Sequence, residues 1–109
     1  MAGMRWHSKA LAELAAGREV VVRPCEHPMR PVIMPGARVL LRPLRPEEKL
    51  RPRQIVFAHL AGAWYLRRLK AVEGQRVQIA SERGRANGWT HRRNVAGLVV
   101  WIDNFPTRG

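Results

Sequence analysis

Cysteine is almost absent from this chain. Cys25 stands alone in 109 residues, so no disulfide can form within the chain, and a reducing, cytoplasmic setting is the expectation. Aspartate is as rare, Asp103 being the only one, which argues against a carboxylate-rich metal site. His7, His27, His59 and His91 are scattered, and with one cysteine they give no metal-ligand spacing. No glycine-rich phosphate loop is present, and neither metal nor cofactor is expected. Nucleophilic hydroxyls are few: Ser8, Ser81, Thr90 and Thr107. Long hydrophobic runs are lacking too. The first apolar stretch, residues 10–16, is short and carries Glu13. Nothing approaches the ~20 apolar residues that span a bilayer, and no signal-peptide pattern opens the chain. No membrane span is therefore expected.

What the chain has in excess is arginine. Seventeen of its twenty basic residues are Arg, the lysines being Lys9, Lys49 and Lys70, and the formal charge is +12. Such a balance suits a polyanionic partner such as nucleic acid, an anionic membrane surface or an acidic protein. It equally suits a solvated surface whose basic residues a GC-rich genome writes as arginine, because charge carries no geometry. Hydrophobic content of 46% is ordinary for a folded chain, and the length suits one small domain, residues 1–109.

Ser8 is a candidate cap for a short N-terminal helix over residues 8–16, with Leu11, Leu14 and Ala15 on one face and Gly17 at its end. Strand and turn patterns follow. Residues 19–23 are rich in valine. Residues 24–35 hold four prolines, which excludes a regular central strand there. Strands are expected over 37–42, 54–60, 63–69, 75–80 and 97–102, with Ala61-Gly62 as a hairpin turn and Glu73-Gly74 as a second turn. Residues 43–52 read as a charged loop, 81–94 as a polar, basic loop, and 103–109 as a flexible tail. The expected class is mainly β, with one short helix beside it.

The stretch Glu26-His27-Pro28-Met29-Arg30-Pro31, continued by Val32-Ile33-Met34-Pro35-Gly36-Ala37-Arg38-Val39, resembles the nucleophile loop of serine–lysine peptidases of the LexA and signal-peptidase type. That family writes Gly-x-Ser-Met-x-Pro, then Gly-Asp and an apolar strand. Further segments continue the resemblance in order: Arg53-Gln54-Ile55-Val56-Phe57, Tyr65-Leu66-Arg67-Arg68-Leu69, Gly74-Gln75-Arg76-Val77-Gln78-Ile79 and Gly97-Leu98-Val99-Val100. It covers residues 19–102. It implies a domain like the C-terminal domain of LexA and the signal peptidases, with a substrate cleft that pairs with an extended peptide.

In that family a serine attacks and a neutral, buried lysine takes its proton. Pro28 stands at the serine position and Arg67 at the lysine position. Proline has no side-chain oxygen, and a guanidinium stays charged, so both halves of the dyad are lost by chemistry. Glu26 replaces the loop glycine, Ala37 the aspartate after Gly36, and Arg53-Gln54 a Gly-Asp turn. The resemblance thus implies a domain that binds rather than cuts, a protein or peptide partner lying in a cleft lined by His27, Pro28, Met29 and Arg67. A divergent active peptidase would have to draw on Cys25 with His27, or on Lys70. Against these stand a merely structural cysteine beside a loop histidine and a lysine three residues out of place.

A nucleic-acid reading uses Arg83, Arg85, Arg92 and Arg93 around Trp89, where arginine would hold phosphate while the indole stacks on a base. The competing assignment folds Trp89 back over the core. An exposed Trp101 on the last strand would suit a homodimer through that C-terminal strand, which the resemblance also implies.

Overall fold

A computed structural model of the chain describes residues 5–24 and 29–104. It is mainly β, with one helix, α1 (Arg5–Ala15), ahead of the strands β1 (Val20–Val22), β2 (Arg38–Pro43), β3 (Ile55–Leu60), β4 (Ala63–Glu73), β5 (Arg76–Ala80), β6 (Ala86–His91) and β7 (Val95–Asp103). Among the described residues these strands make one sheet, ordered β1-β2-β7-β3-β4-β5-β6, and every neighbouring pair is antiparallel. The radius of gyration, 13.1 Å, is that of a folded chain of this length.

The helix begins at Arg5, ahead of Ser8, and ends where Gly17 takes a φ of +81°. Its buried side chains are His7, Ala10 and Leu14, which follow the i, i+3, i+7 spacing of one helix face. Leu11 is half-buried, whereas Ala15 faces solvent. Leu14 lies over Gly97 of β7, whose missing side chain makes room for it.

The hairpin between β3 and β4 turns through Ala61 and Gly62, both with positive φ (50° and 84°), as a two-residue turn between right-twisted strands requires. β4 runs on to Glu73, so one long strand pairs with β3 at its start and β5 at its end.

Residues 81–94 are not a loop. β6 lies within them, followed by a single 3-10 turn, Arg92–Asn94. The sequence Ala-Asn-Gly-Trp-Thr-His has too few β-branched residues to announce a strand. It is an edge strand held by its neighbours: Thr90 Oγ1 donates to the His59 carbonyl at 2.9 Å, and Leu60 packs over Gly88. These contacts bring β6 back towards β3, so the β3–β6 half of the sheet coils on itself.

Two apolar clusters occupy opposite faces of β3, because successive side chains of a strand alternate. Ile55 and Phe57 join α1, β1, β2 and the loop residues Met29 and Ile33. Val56 and Ala58 join Leu69, Val77, Ile79, Val95 and Leu98 inside the coiled half. Phe57 is fully buried between Trp6 and Trp64, with ring centroids at 5.1 and 4.9 Å.

Nor is the tail free from residue 103. Asp103 ends β7 and accepts from Arg38 at 2.8 Å. Asn104 reaches into the proline-rich loop, accepting from the Met34 amide at 2.9 Å and donating to the Val32 carbonyl at 2.8 Å. Two backbone groups of a loop that makes no strand are satisfied in this way.

Candidate functional site

Arg67 faces the interior of the coiled half. It lies opposite Val56 on β3 and between Tyr65 and Leu69 on its own side of β4. Its side chain is buried (7% exposed) and its guanidinium lies 4.9 Å from the Tyr65 ring centroid. Nη1 donates to the Leu66 carbonyl at 2.9 Å, and Nε donates to Asn87 Oδ1 at 3.2 Å. Asn87 is supplied by a bulge. Ile79 pairs with Gly88 and Ala80 with Ala86, which leaves Asn87 as the extra residue of β6. A bulge re-aims the side chain it carries, here towards Arg67.

Above Arg67 opens a cleft of about 540 Å³, lined by Arg30, Arg67, Ser81, Arg83, Arg85, Ala86 and Asn87. One wall is the loop after the Pro28 position, through Arg30. The other is the β5–β6 turn. That turn is tightly made: the Ser81 amide donates to the Arg85 carbonyl at 2.9 Å and the Gly84 amide to the Ser81 carbonyl at 2.9 Å. The Arg85 amide donates to Ser81 Oγ at 3.2 Å. Gly84 takes a φ of +85°, a backbone shape that suits glycine. Arg83 and Arg85 thus project from a fixed turn into solvent at the cleft. No carboxylate occurs among the described residues that line it. Glu82 lies in the adjoining recess with Arg30, Pro31, Met34 and Arg83, and is paired to Arg68 at 2.6 Å.

A proton acceptor for a nucleophile is also missing among the described lining residues. Ser81 has a hydroxyl, but the basic groups around it are guanidiniums, which do not give up a proton in proteins. Lys70 is exposed and donates to the Gly84 carbonyl at 3.3 Å. Among the described residues no group of His, Cys, Asp and Glu is placed to hold a metal ion.

The residues singled out from sequence are distributed unevenly. Cys25, His27 and Pro28 lie outside the described residues. Met29 does not line the cleft: it is buried in the core with Ile33. Its neighbour Arg30 does line it. Arg83 and Arg85 share the cleft with Arg67, but Arg92 and Arg93 lie in the 3-10 turn at the opposite end of β6. Trp89 is half-buried on the outer face, under the Arg76 guanidinium at 5.4 Å. The Arg/Trp89 cluster is thus dispersed. Trp101 is 46% exposed, beside Val100 at 47%. Its strand, β7, pairs with β3 between Val95 and Leu98 and with β2 between Gly97 and Asp103, so Val100 and Trp101 lie where β2 is the paired neighbour.

Arg30, Ser81 and Asn87 were not anticipated at the site. Arg30 sits inside the loop motif and was legible there; Asn87 depends on a bulge, for which no sequence rule applies. Comparison with protein-family models, with characterised proteins and with solved structures found no match to the chain. Among the described residues no helix is long and apolar enough to cross a membrane.

Proposed function

We propose that this chain is a non-catalytic binding module related to the LexA and signal-peptidase type of peptidase, holding a peptide or protein partner in the cleft above Arg67. The observation that carries this reading is the buried Arg67 guanidinium, oriented by Asn87 and the Leu66 carbonyl. It occupies the place where the resemblance puts a proton-accepting lysine, and it cannot accept a proton. Two further features support the relationship. Arg30, just past the Pro28 position, lines the same cleft as Arg67, as a loop facing the lysine strand would. Arg53, which replaces a glycine of the family pattern, has a φ of +81°, a glycine-like conformation that other residues adopt at a cost.

The test is incubation of the purified chain with unfolded protein substrates and a fluorescent peptide set. Binding without cleavage is expected. Specific cleavage would overturn the non-catalytic reading, and its loss or survival in Cys25→Ala and Lys70→Ala would say whether those residues carry it.

A second reading, nucleic-acid binding, is favoured by the charge of +12 and by Trp89 with Arg76 stacked on it. Arginine substitutions at Arg76 and Arg92 would then lower affinity for single-stranded DNA, and binding would weaken steeply with salt. Absence of any gel retardation at low salt would dispose of it.

A further inference from the structure

We infer that a second pocket, at the end of the coiled half away from the Arg67 cleft, takes a small amphipathic carboxylate: one anionic head on a compact apolar body. Lys49, Leu50, Val72, Gln75, Val77 and Arg92 line this pocket, whose volume is about 310 Å³. That volume is at the low end for sites that hold small molecules. The pocket lies at the start of β5, whereas the Arg67 cleft lies at the turn that follows its end. The two share no lining residue, so the inference stands apart from the peptide-binding reading.

The first observation is an apolar floor. Val72 and Val77 are opposite one another in the β4–β5 register, so their side chains share a face. Val77 and Leu50 are buried, and both belong to the apolar cluster inside the coiled half. Val72 is half-buried and packs against that cluster. The pocket therefore runs from exposed residues at its mouth, Lys49 and Gln75, down to the core. An apolar body seated there leaves water, the main source of affinity in a site of this kind.

The second is a pair of cations above that floor. Arg92 is half-buried and held in place: its amide donates to the Gln75 carbonyl at 2.7 Å. Its Nη2 lies 3.4 Å from the Arg45 and the Pro46 carbonyl oxygens, long for N–H···O bonds. Both contacts use one nitrogen, so Nη2 steadies the guanidinium while Nη1 and Nε can donate to a carboxylate. Lys49 is exposed and adds a compact second charge. The neighbouring acids are turned elsewhere. Glu48 accepts from Arg42 and from the Arg45 amide. Glu73 is opposite Arg76, and strand alternation sets it on the other face from Val72.

The third is the match between the two parts. A guanidinium and an ammonium over an apolar floor fit a ligand with a charged head and an apolar remainder. A sugar or nucleotide would set polar groups against Leu50, Val72 and Val77 at the cost of their hydration. A bare inorganic anion would leave that floor unused.

The experiment is a titration of the isotope-labelled full chain followed by amide NMR spectra. The probes are phenylacetate and isocaproate, with phenylacetamide as the neutral counterpart, and acetate and inorganic phosphate as heads without a body. Phenylacetate and isocaproate should move the amides of Leu50, Gln75 and Val77 saturably and leave those of Ser81 and Asn87, in the other cleft, in place. Phenylacetamide and acetate should each bind at least about tenfold more weakly, having lost the charged hydrogen bonds or the buried body. Arg92→Gln should weaken phenylacetate by about tenfold or more, as loss of hydrogen-bonded charge at an interface does. Lys49→Gln should weaken it by about threefold, the worth of an exposed ion pair. Because Lys49 is exposed, its variant tests the site even where Arg92→Gln disturbs the fold, which circular dichroism checks. Arg93→Gln removes the same charge from an exposed neighbour that is not among the described lining residues, and should change affinity by less than about twofold. Equal binding of phenylacetamide would overturn the anionic head. Equal binding of acetate or phosphate would overturn the apolar body and leave an adventitious ion only. Equal losses from Lys49→Gln and Arg93→Gln would reduce the effect to net charge and overturn the site. Shifts confined to Ser81 and Asn87 would move the ligand to the Arg67 cleft, and no saturable shift at millimolar ligand would leave the pocket without this role; either result overturns the proposal.

Discussion

Gly97 shows most directly how one residue fixes this structure. It is buried on β7, and a Cβ there would lie 2.8 Å from the Arg42 carbonyl oxygen and 3.0 Å from a Leu14 methyl. The first neighbour is backbone of the paired strand and cannot rotate away. Glycine is needed here for close approach, and not for an unusual dihedral angle. Gly97→Ala is expected to lower stability by about 1–3 kcal/mol, the usual cost of overpacking, and denaturant titration would read it as a lower midpoint with an unchanged slope. A neutral result would mean that α1 does not press on β7 as described. Arg53 presents the reverse case. Its φ of +81° strains a residue that carries a Cβ, while its amide donates to the Leu69 carbonyl at 2.8 Å and locks the conformation in place. Arg53→Gly should release that strain. Because glycine also gains freedom in the unfolded chain, the net gain is expected to be only about 0.5–1 kcal/mol. A fall in melting temperature would show that the Arg53 side chain contributes more than its backbone costs.

At the scale of elements, the loop of residues 29–37 positions one wall of the cleft without being a strand or helix. It is anchored from both sides. Met29 and Ile33 are buried beneath it, and Asn104 holds two of its backbone groups from the end of β7. Asn104→Ala should cost about 1–2 kcal/mol by leaving those groups without their partner. It should also loosen Arg30 and so weaken binding of the fluorescent peptides, although Asn104 is not among the described residues that line the cleft. Lower stability with unaltered peptide affinity would separate the loop's anchoring from its binding role. The same element shows what was legible in the sequence. Its prolines, Gly36 and the strand that follows marked it out, and the hairpin at Ala61-Gly62 and most strands could be read from alternation and turn chemistry. β6 could not, because its Asn-Gly core has low strand propensity and its pairing to β5 depends on contacts with His59 and Leu60. Asn104 could not, because its partners lie about seventy residues away in sequence. Arg67 was marked by position in a motif, whereas its partner Asn87 needed the bulge.

For the whole molecule the dominant quantity is charge. At +12 the folded chain carries a self-repulsion that each paired carboxylate offsets. Among the described residues Glu48 is the carboxylate most strongly tied in. It receives both terminal nitrogens of Arg42 and the Arg45 amide, which joins the 43–52 loop to β2. The hydrogen-bonded Arg42 guanidinium, then the Arg45 amide, hold its pKa down from the ordinary 4.5 to about 2, against the opposing effect of burial. A carboxylate with a depressed folded pKa contributes stability that is complete above its unfolded value and lost as pH falls through the folded one. The Glu48 contribution should therefore be intact at neutral pH, decline below about pH 4.5 and be gone near pH 2. Glu48→Gln keeps the shape and removes the charge. Wild type should exceed this variant by about 1–3 kcal/mol near pH 7, and the two should converge as pH approaches 2. Chemical denaturation of both proteins across that range measures the difference directly. A gap that stays constant with pH would assign the Glu48 effect to packing of the loop and not to its charge, and the acid sensitivity of the fold would then have to come from its remaining carboxylates and from the mounting repulsion among its arginines.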